Sequence, residues 1–266
     1  MSHLSAIGFG APDLVAFDAL VDRTLQDAVE PGELGAEGRR HRWVRDESGA
    51  AMAAHLEGDA IECLTPFFRP EDGGTRWRVR THSPHLDQDC RHCSGADCDI
   101  LGDDPADEML TRATVQWLYF DAWADRLREE RTLDLRVVGF ASRLYVADDD
   151  ARWEAAQTEL FGPANPDEAP RPGHPMRLAD QAMLPYGMFG NEGDVGSRAR
   201  ALVTGRVQVA RRLTNGITGQ RFLWLRVETL GGPLDLVSPD DPACLLEPGT
   251  RALAEVWLVG DPLGSP

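Results

Sequence analysis

The spacing of hydrophobic positions changes several times along the chain, and each change marks an element. Residues 4–9, Leu-Ser-Ala-Ile-Gly-Phe, form an apolar run that predicts a short strand. Asp13 precedes Leu14, Phe17, Leu20, Val21 and Leu25, which share one face at helical spacing, so a helix capped by Asp13 is expected to about Asp27. From His41 the period shortens. Residues 41–46, 50–56 and 60–68 read as three strands joined by Glu47-Ser-Gly and Glu57-Gly-Asp turns. Arg76-Trp-Arg-Val-Arg alternates as a strand does, and the runs 110–120 and 133–146 are apolar enough for two more. A short helix is expected over 121–130. Asp148-Asp-Asp opens another to about Leu160, with its carboxylates at the positive end of the helix dipole.

The stretch 162–175 is rich in Pro and poor in large apolar side chains, and 186–197 is loose and Gly-rich. Beyond them the pattern is strand-dense. Residues 201–213 carry Gly205 inside a long strand, where a bend or bulge is expected. Strands at 222–230 and 234–237, a helical turn within 240–247 and a strand at 252–259 follow. These elements predict an α+β protein. Residues 1–162 would form a mostly antiparallel sheet with packed helices and a metal-stapled loop at 82–98; a Pro/Gly-rich linker would span 163–197, and a small β-barrel domain 198–266. No tandem repeat of fixed period is found.

The tail resembles an OB-fold, carried by Gly205-Arg-Val-Gln-Val, Phe222-Leu-Trp-Leu-Arg-Val, Pro248-Gly-Thr and Glu255-Val-Trp-Leu-Val-Gly. The resemblance implies a five-stranded barrel. No fifth strand follows Gly260, so closure would need a strand from the preceding segment or the N-terminal domain. It also implies single-stranded nucleic acid as a ligand, stacked on Phe222, Trp224 and Trp257 among Arg211, Arg212, Arg221 and Arg226. Packing of those aromatics on the N-terminal domain is the preferred alternative. The first seventy residues, read β-α-β-β-β, resemble half of a vicinal oxygen chelate (glyoxalase-like) module, carried by His3-Leu-Ser-Ala-Ile-Gly-Phe and Ile61-Glu-Cys-Leu-Thr-Pro-Phe. That likeness implies a metal-dependent enzyme acting on a small molecule, with His3 and Glu62 as ligands of a divalent ion and His55 nearby. Topology alone does not carry activity.

Composition narrows the partners. The 266 residues are 42% hydrophobic, enough for a core, and carry a formal charge of −17 with a pI near 4.7. Such acidity argues against duplex nucleic acid and against anionic membranes. All 27 basic residues are Arg, so a phosphate-binding P-loop, which needs Lys, is excluded. No apolar run reaches the length of a membrane span, and the N-terminus lacks a signal-peptide pattern, so a cytoplasmic protein is expected.

In a reducing compartment clustered cysteines point to metal or redox chemistry before structural disulfides. Cys90, Cys93 and Cys98 form a C-x2-C-x4-C run beside His82, His85 and His92. Thiolate and imidazole are the ligands Zn²⁺ prefers, and the two-residue gap lets one turn aim two sulfurs at one ion. The expected site is a structural zinc held by Cys90, Cys93, Cys98 and His85, with His92 and His82 as alternative fourth ligands and Asp97 and Asp99 orienting them. A polar loop with thiols or one disulfide is the alternative. A catalytic metal would need a bound water and a base such as Asp87 or Asp89. Cys63 and Cys244, in apolar settings, are expected as small core residues. No catalytic residue is assigned. The functional expectation is a non-enzymatic module binding a protein partner or a second copy, ahead of the glyoxalase-like enzyme and of single-strand binding.

Overall fold

The computed structural model describes residues 3–26, 39–58, 60–86, 93–102, 108–161, 177–188 and 198–264. It begins with a 3-10 turn at His3–Ile7 and helix α1 at Leu14–Gln26. Strands β1 (Arg39–Arg45), β2 (Ala50–Glu57) and β3 (Ala60–Phe68) then pair antiparallel as a sheet of their own. The remaining strands are β4 (Arg76–His85), β5 (Gly95–Leu101), β6 (Met109–Trp117), β7 (Arg131–Ala147), β8 (Ala182–Pro185), β9 (Arg200–Thr214), β10 (Arg221–Thr229), β11 (Gly232–Pro239) and β12 (Arg251–Pro262). Helices α2 (Phe120–Trp123) and α3 (Asp150–Phe161) flank β7. Strand dominates and the pairing is mostly antiparallel.

The larger sheet closes on itself twice. β4 pairs with β5, β5 with β6, β6 with β12, β12 with β7, and β7 with β4. A second ring runs β9–β10–β11–β7–β12 and back to β9. Both contain β7 and β12. In each, three consecutive antiparallel strands lead to this shared ribbon through a parallel contact, β6 on β12 in one and β11 on β7 in the other. The strand that closes the tail's ring is therefore β7, from the N-terminal side of the Pro-rich stretch. Pairing thus crosses the boundary expected between residues 162 and 198, and most of the expected linker (163–176 and 189–197) lies outside the described residues, while β8 pairs with β9.

Alternation explains the interior. Trp77 and Val79 on β4, Ala96, Cys98 and Ile100 on β5, and Leu223, Leu225 and Val227 on β10 all turn into one buried cluster that continues across the ribbon through Val137 and Val256. The opposite face of the ribbon is covered too. Val138 and Phe140 of β7, Phe222 and Trp224 of β10 and Trp257 and Val259 of β12 pack against Leu20 and Val21 of α1, Met52 of β2 and Phe67 and Phe68 of β3. A third cluster seats Trp153 of α3 on Leu253 and Ala147.

Two of the expected elements take another form, the helix expected over 121–130 is shorter, and β5 and β8 are additional strands. Residues 3–7 are a 3-10 turn because the chain reverses: Gly8 adopts φ 76° and the Phe9 N–H donates to the Leu4 carbonyl at 2.9 Å. A strand has no place for that conformation. Residues 240–247 form turns, tied by Asp240 to Arg212 of β9 and Arg221 of β10. Gly205 behaves as its position implies. It pairs with Ala252 of β12, and a Cβ there would fall well inside contact distance of the Glu228 carbonyl oxygen of β10. Gly205→Ala is expected to cost about 1–3 kcal/mol by forcing backbone apart. Urea unfolding checks this; an unshifted midpoint would show that β10 yields freely.

Candidate functional site

The outer face of β4–β5–β6 carries a repeated polar unit. β4 and β5 hold register through Thr81↔Cys98, then resume at Pro84↔Ala96, so β4 contains one extra residue. Side chains alternate along a strand, and His82 and His85 would ordinarily face opposite ways. The bulge brings both onto the face shared by Asp97 and Asp99. His82 Nε2 lies 2.6 Å from Asp99 Oδ2, and Arg112 Nε of β6 donates to Asp99 Oδ1 at 2.6 Å. One rung along, His85 Nε2 lies 2.9 Å from Asp97 Oδ2, and the Thr114 hydroxyl of β6 donates to Asp97 Oδ1 at 2.7 Å. Each carboxylate thus holds an imidazole from one neighbouring strand and a donor from the other.

Burial opposes ionisation of Asp97 and Asp99, yet both carboxyls sit below their usual range. The hydrogen bonds from His85 and Thr114 outweigh burial at Asp97, and those from Arg112 and His82 do so at Asp99. Arg112 is held above its ordinary value, chiefly by its bond to Asp99. His82 Nδ1 lies 3.8 Å from Glu130 Oε2. The side chains of His82 and His85 are about a quarter and a fifth exposed, at 26% and 21%, so a partner can reach them.

The expected zinc ligands are not gathered here. Cys98 turns away from Asp97 and Asp99 into the core; burial drives its thiol far above the ordinary range, and its Sγ donates to the Ala96 carbonyl at 3.6 Å. A ligating cysteine must be a thiolate, which that environment disfavours. Cys93 is disulfide-bonded, and His85 faces outward with Asp97. Cys93, Cys98 and His85 therefore share no focus, and Cys90, His92, Asp87 and Asp89 lie outside the described residues. Among the described residues no group of three or more His, Cys, Asp or Glu is placed to hold a metal ion. Of the alternatives, the disulfide matches Cys93. Asp97 and Asp99 do orient His85 and His82, but with no sulfur beside them among the described residues.

The other candidates are also dispersed. His3 lies on Trp257, ring centroids 4.2 Å apart, and burial lowers its pKa to about 4. Glu62 is exposed on β3. His55 pairs instead with His41, Nδ1 to Nδ1 at 2.8 Å, and its Nε2 meets the Thr65 hydroxyl at 3.1 Å. His41 Nε2 stands 3.7 Å from Asp121. This buried chain ties β1, β2 and β3 to α2, and no spacing in the sequence announced it. Phe222 and Trp224 are covered by Phe68, centroids 5.8 and 5.6 Å away, and Arg226 is engaged by Asp72 and Asp235.

The depressed Asp97 and Asp99 carboxyls set an acid limit. Their contribution is complete above the unfolded value near 4 and is lost as pH falls through the lower folded value. Stability should therefore drop as pH falls below about 4, and Asp97→Asn with Asp99→Asn should flatten that limb; urea unfolding against pH measures it, and an equally steep limb in the double variant would refute it. In comparisons with known protein families, with curated proteins and with solved structures, no match to the chain was found.

Proposed function

We propose that this chain is a non-enzymatic interaction module that associates with a second copy of itself through the outer face of β4–β5–β6. The single observation behind this reading is the two-rung strip. Its imidazoles and carboxylates are set in order by a bulge, and Arg112 stands 48% exposed at its edge. A two-fold interface needs a patch that complements itself, and a strip carrying both signs meets that need. The whole-chain charge of −17 makes local complementarity more important, because two copies repel at a distance. Leu110, the extra residue at a bulge in β6, is 42% exposed two residues from Arg112 and adds apolar area nearby.

The strand path of each ring, three strands and then a shared pair, favours an OB-like barrel in each half. Barrels of that kind bind bases on exposed aromatics. Here the aromatics of β10 lie under the N-terminal layer, which favours the protein-interaction reading. His3 packed on Trp257 and Glu62 exposed on β3 likewise lend the glyoxalase-like reading no support. Sedimentation velocity over a concentration series is the test. The wild type should show a concentration-dependent dimer, weakened tenfold or more by His82→Ala with Arg112→Ala and by raised salt. A wild type that stays monomeric throughout, with its fold intact, would rule out the reading.

A further inference from the structure

The chain has three asparagines, and Asn215 is the one followed by glycine. An Asn-Gly pair is chemically labile, because a glycine nitrogen, with no side chain on its residue, approaches the preceding amide carbon without hindrance. Here every atom of that reaction is engaged. Asn215 is buried at the entry to the β9–β10 turn. Its Oδ1 accepts from the Ile217 N–H at 2.9 Å and the Thr218 N–H at 3.1 Å, and its Nδ2 donates to the Ile7 carbonyl at 2.9 Å. The Gly216 N–H, the potential nucleophile, donates to Asp46 Oδ2 in the β1–β2 turn. Two more side chains of the β9–β10 turn hold the N-terminus: the Thr218 hydroxyl donates to the Gly8 carbonyl at 2.6 Å and Gln220 Nε2 to the Gly10 carbonyl at 2.6 Å. The segments are in direct contact, since a Cβ on Gly8 would stand 2.9 Å from Asn215 Cβ.

We propose that Asn215-Gly216 is a guarded deamidation site whose conversion irreversibly releases the N-terminal 3-10 turn. In the native turn the amide is fixed by three hydrogen bonds and the Gly216 nitrogen keeps its proton against Asp46. Local opening frees both. The Gly216 nitrogen then loses its proton to solvent and attacks Asn215 Cγ. An N–Cγ bond forms, the Cγ–Nδ2 bond breaks, and Nδ2 leaves as ammonia after taking a proton from water. Water next adds to one carbonyl of the succinimide and opens the ring to aspartate or isoaspartate. The net change is one water consumed and one ammonia released, with no oxidant or reductant. The product cannot restore the native contacts. A carboxylate still accepts from Ile217 and Thr218, but it has no donor for the Ile7 carbonyl and sets a charge against that oxygen. Isoaspartate also adds a carbon to the backbone of the turn. Leu4, Ile7 and Phe9 pack in the cluster that contains Phe140 and Trp257, so their release uncovers that aromatic face.

Peptide mapping of the full chain tests this. The protein is aged in mildly alkaline buffer with and without concentrated urea, digested with trypsin, and the 213–221 peptide is followed by mass spectrometry for aspartate and isoaspartate. Conversion in native protein tracks the population of the open turn, so it should run at least about tenfold slower than in urea. Asp46→Ala removes the acceptor of the Gly216 N–H. It should speed native conversion about fivefold, the equivalent of one lost hydrogen bond, and leave the rate in urea unchanged. Asn215→Asp stands in for the product. Its Phe9 amide, which donates to the Leu4 carbonyl in the native turn, should exchange with deuterium about tenfold faster, while the β7–β12 ribbon exchanges as in wild type. Should that variant not fold, the wild-type and Asp46→Ala rates still decide. Equal rates in buffer and in urea would overturn the proposal. So would an Asp46→Ala rate no faster than wild type's, or unchanged Phe9 exchange in folded Asn215→Asp.

Discussion

The β7–β12 ribbon is the constraint on which the rest of the structure depends. The two strands stay paired from Ala147↔Arg251 to Leu135↔Pro262, with one register break at Glu255/Val256. Each offers its other edge to two neighbours in turn. β7 pairs with β4 over residues 131–136 and with β11 over 138–140; β12 pairs with β9 over 251–257 and with β6 at Val259 and Gly260. One strand edge thus passes from ring to ring within a few residues, leaving little room at the crossing. A Cβ on Gly139 would lie 2.7 Å from Leu236 Cδ2, and one on Gly260 2.8 Å from Val115 Cγ1. Those two glycines occupy equivalent places, each beside the third strand of its ring.

Closure of both rings removes most of the exposed edges that a long sheet would present. It also leaves a broad apolar outer face on the ribbon, which the N-terminal layer covers. Two buried carboxylates gather donors around the ribbon, and one of them reaches the end of the N-terminal layer. Asp261 of β12 accepts from Arg69, just past the end of β3, at 2.7 Å and from Arg136 of β7 at 2.8 Å. Burial raises its pKa even against those two cations. Asp235 of β11 accepts from Trp224 Nε1, Arg226 and the Thr75 N–H. Buried ion pairs contribute little net stability, but removing one partner strands a charge, so they select one arrangement of the layers over others.

Local pattern made most elements legible. The helix from Leu14, the three strands from Arg39 to Phe68, β7 and the tail strands all carry clear periodicity, and the missing fifth strand of the tail pointed upstream. What stayed hidden was set by long-range pairing. β5 and β8 are short, and Gly95-Ala-Asp-Cys-Asp reads as a polar loop until β4 and β6 flank it. The sharing of β7 and β12 leaves no mark on either sequence, because a strand that changes neighbours looks like any other long apolar strand. The His41–His55 pair is likewise a cross-strand product, formed only when β1 and β2 meet in register.

The same distinction explains why a spacing that suits zinc does not assemble a zinc site from its described members. The C-x2-C-x4-C argument assumes a loop free to turn all three sulfurs inward. Once residues 95–101 are a strand, the period of two fixes Cys98 on the core face and Asp97 and Asp99 on the other. The bulge in β4 then hands His82 and His85 to the carboxylates rather than to the sulfurs. Imidazole and thiol, adjacent in sequence, end on opposite sides of one sheet. The sulfur of Cys63 meets that of Cys93 across layers, 3.8 Å away, with a second bulge beside it. In both places an extra residue in a strand, and not the spacing of ligands, decides which reactive groups meet.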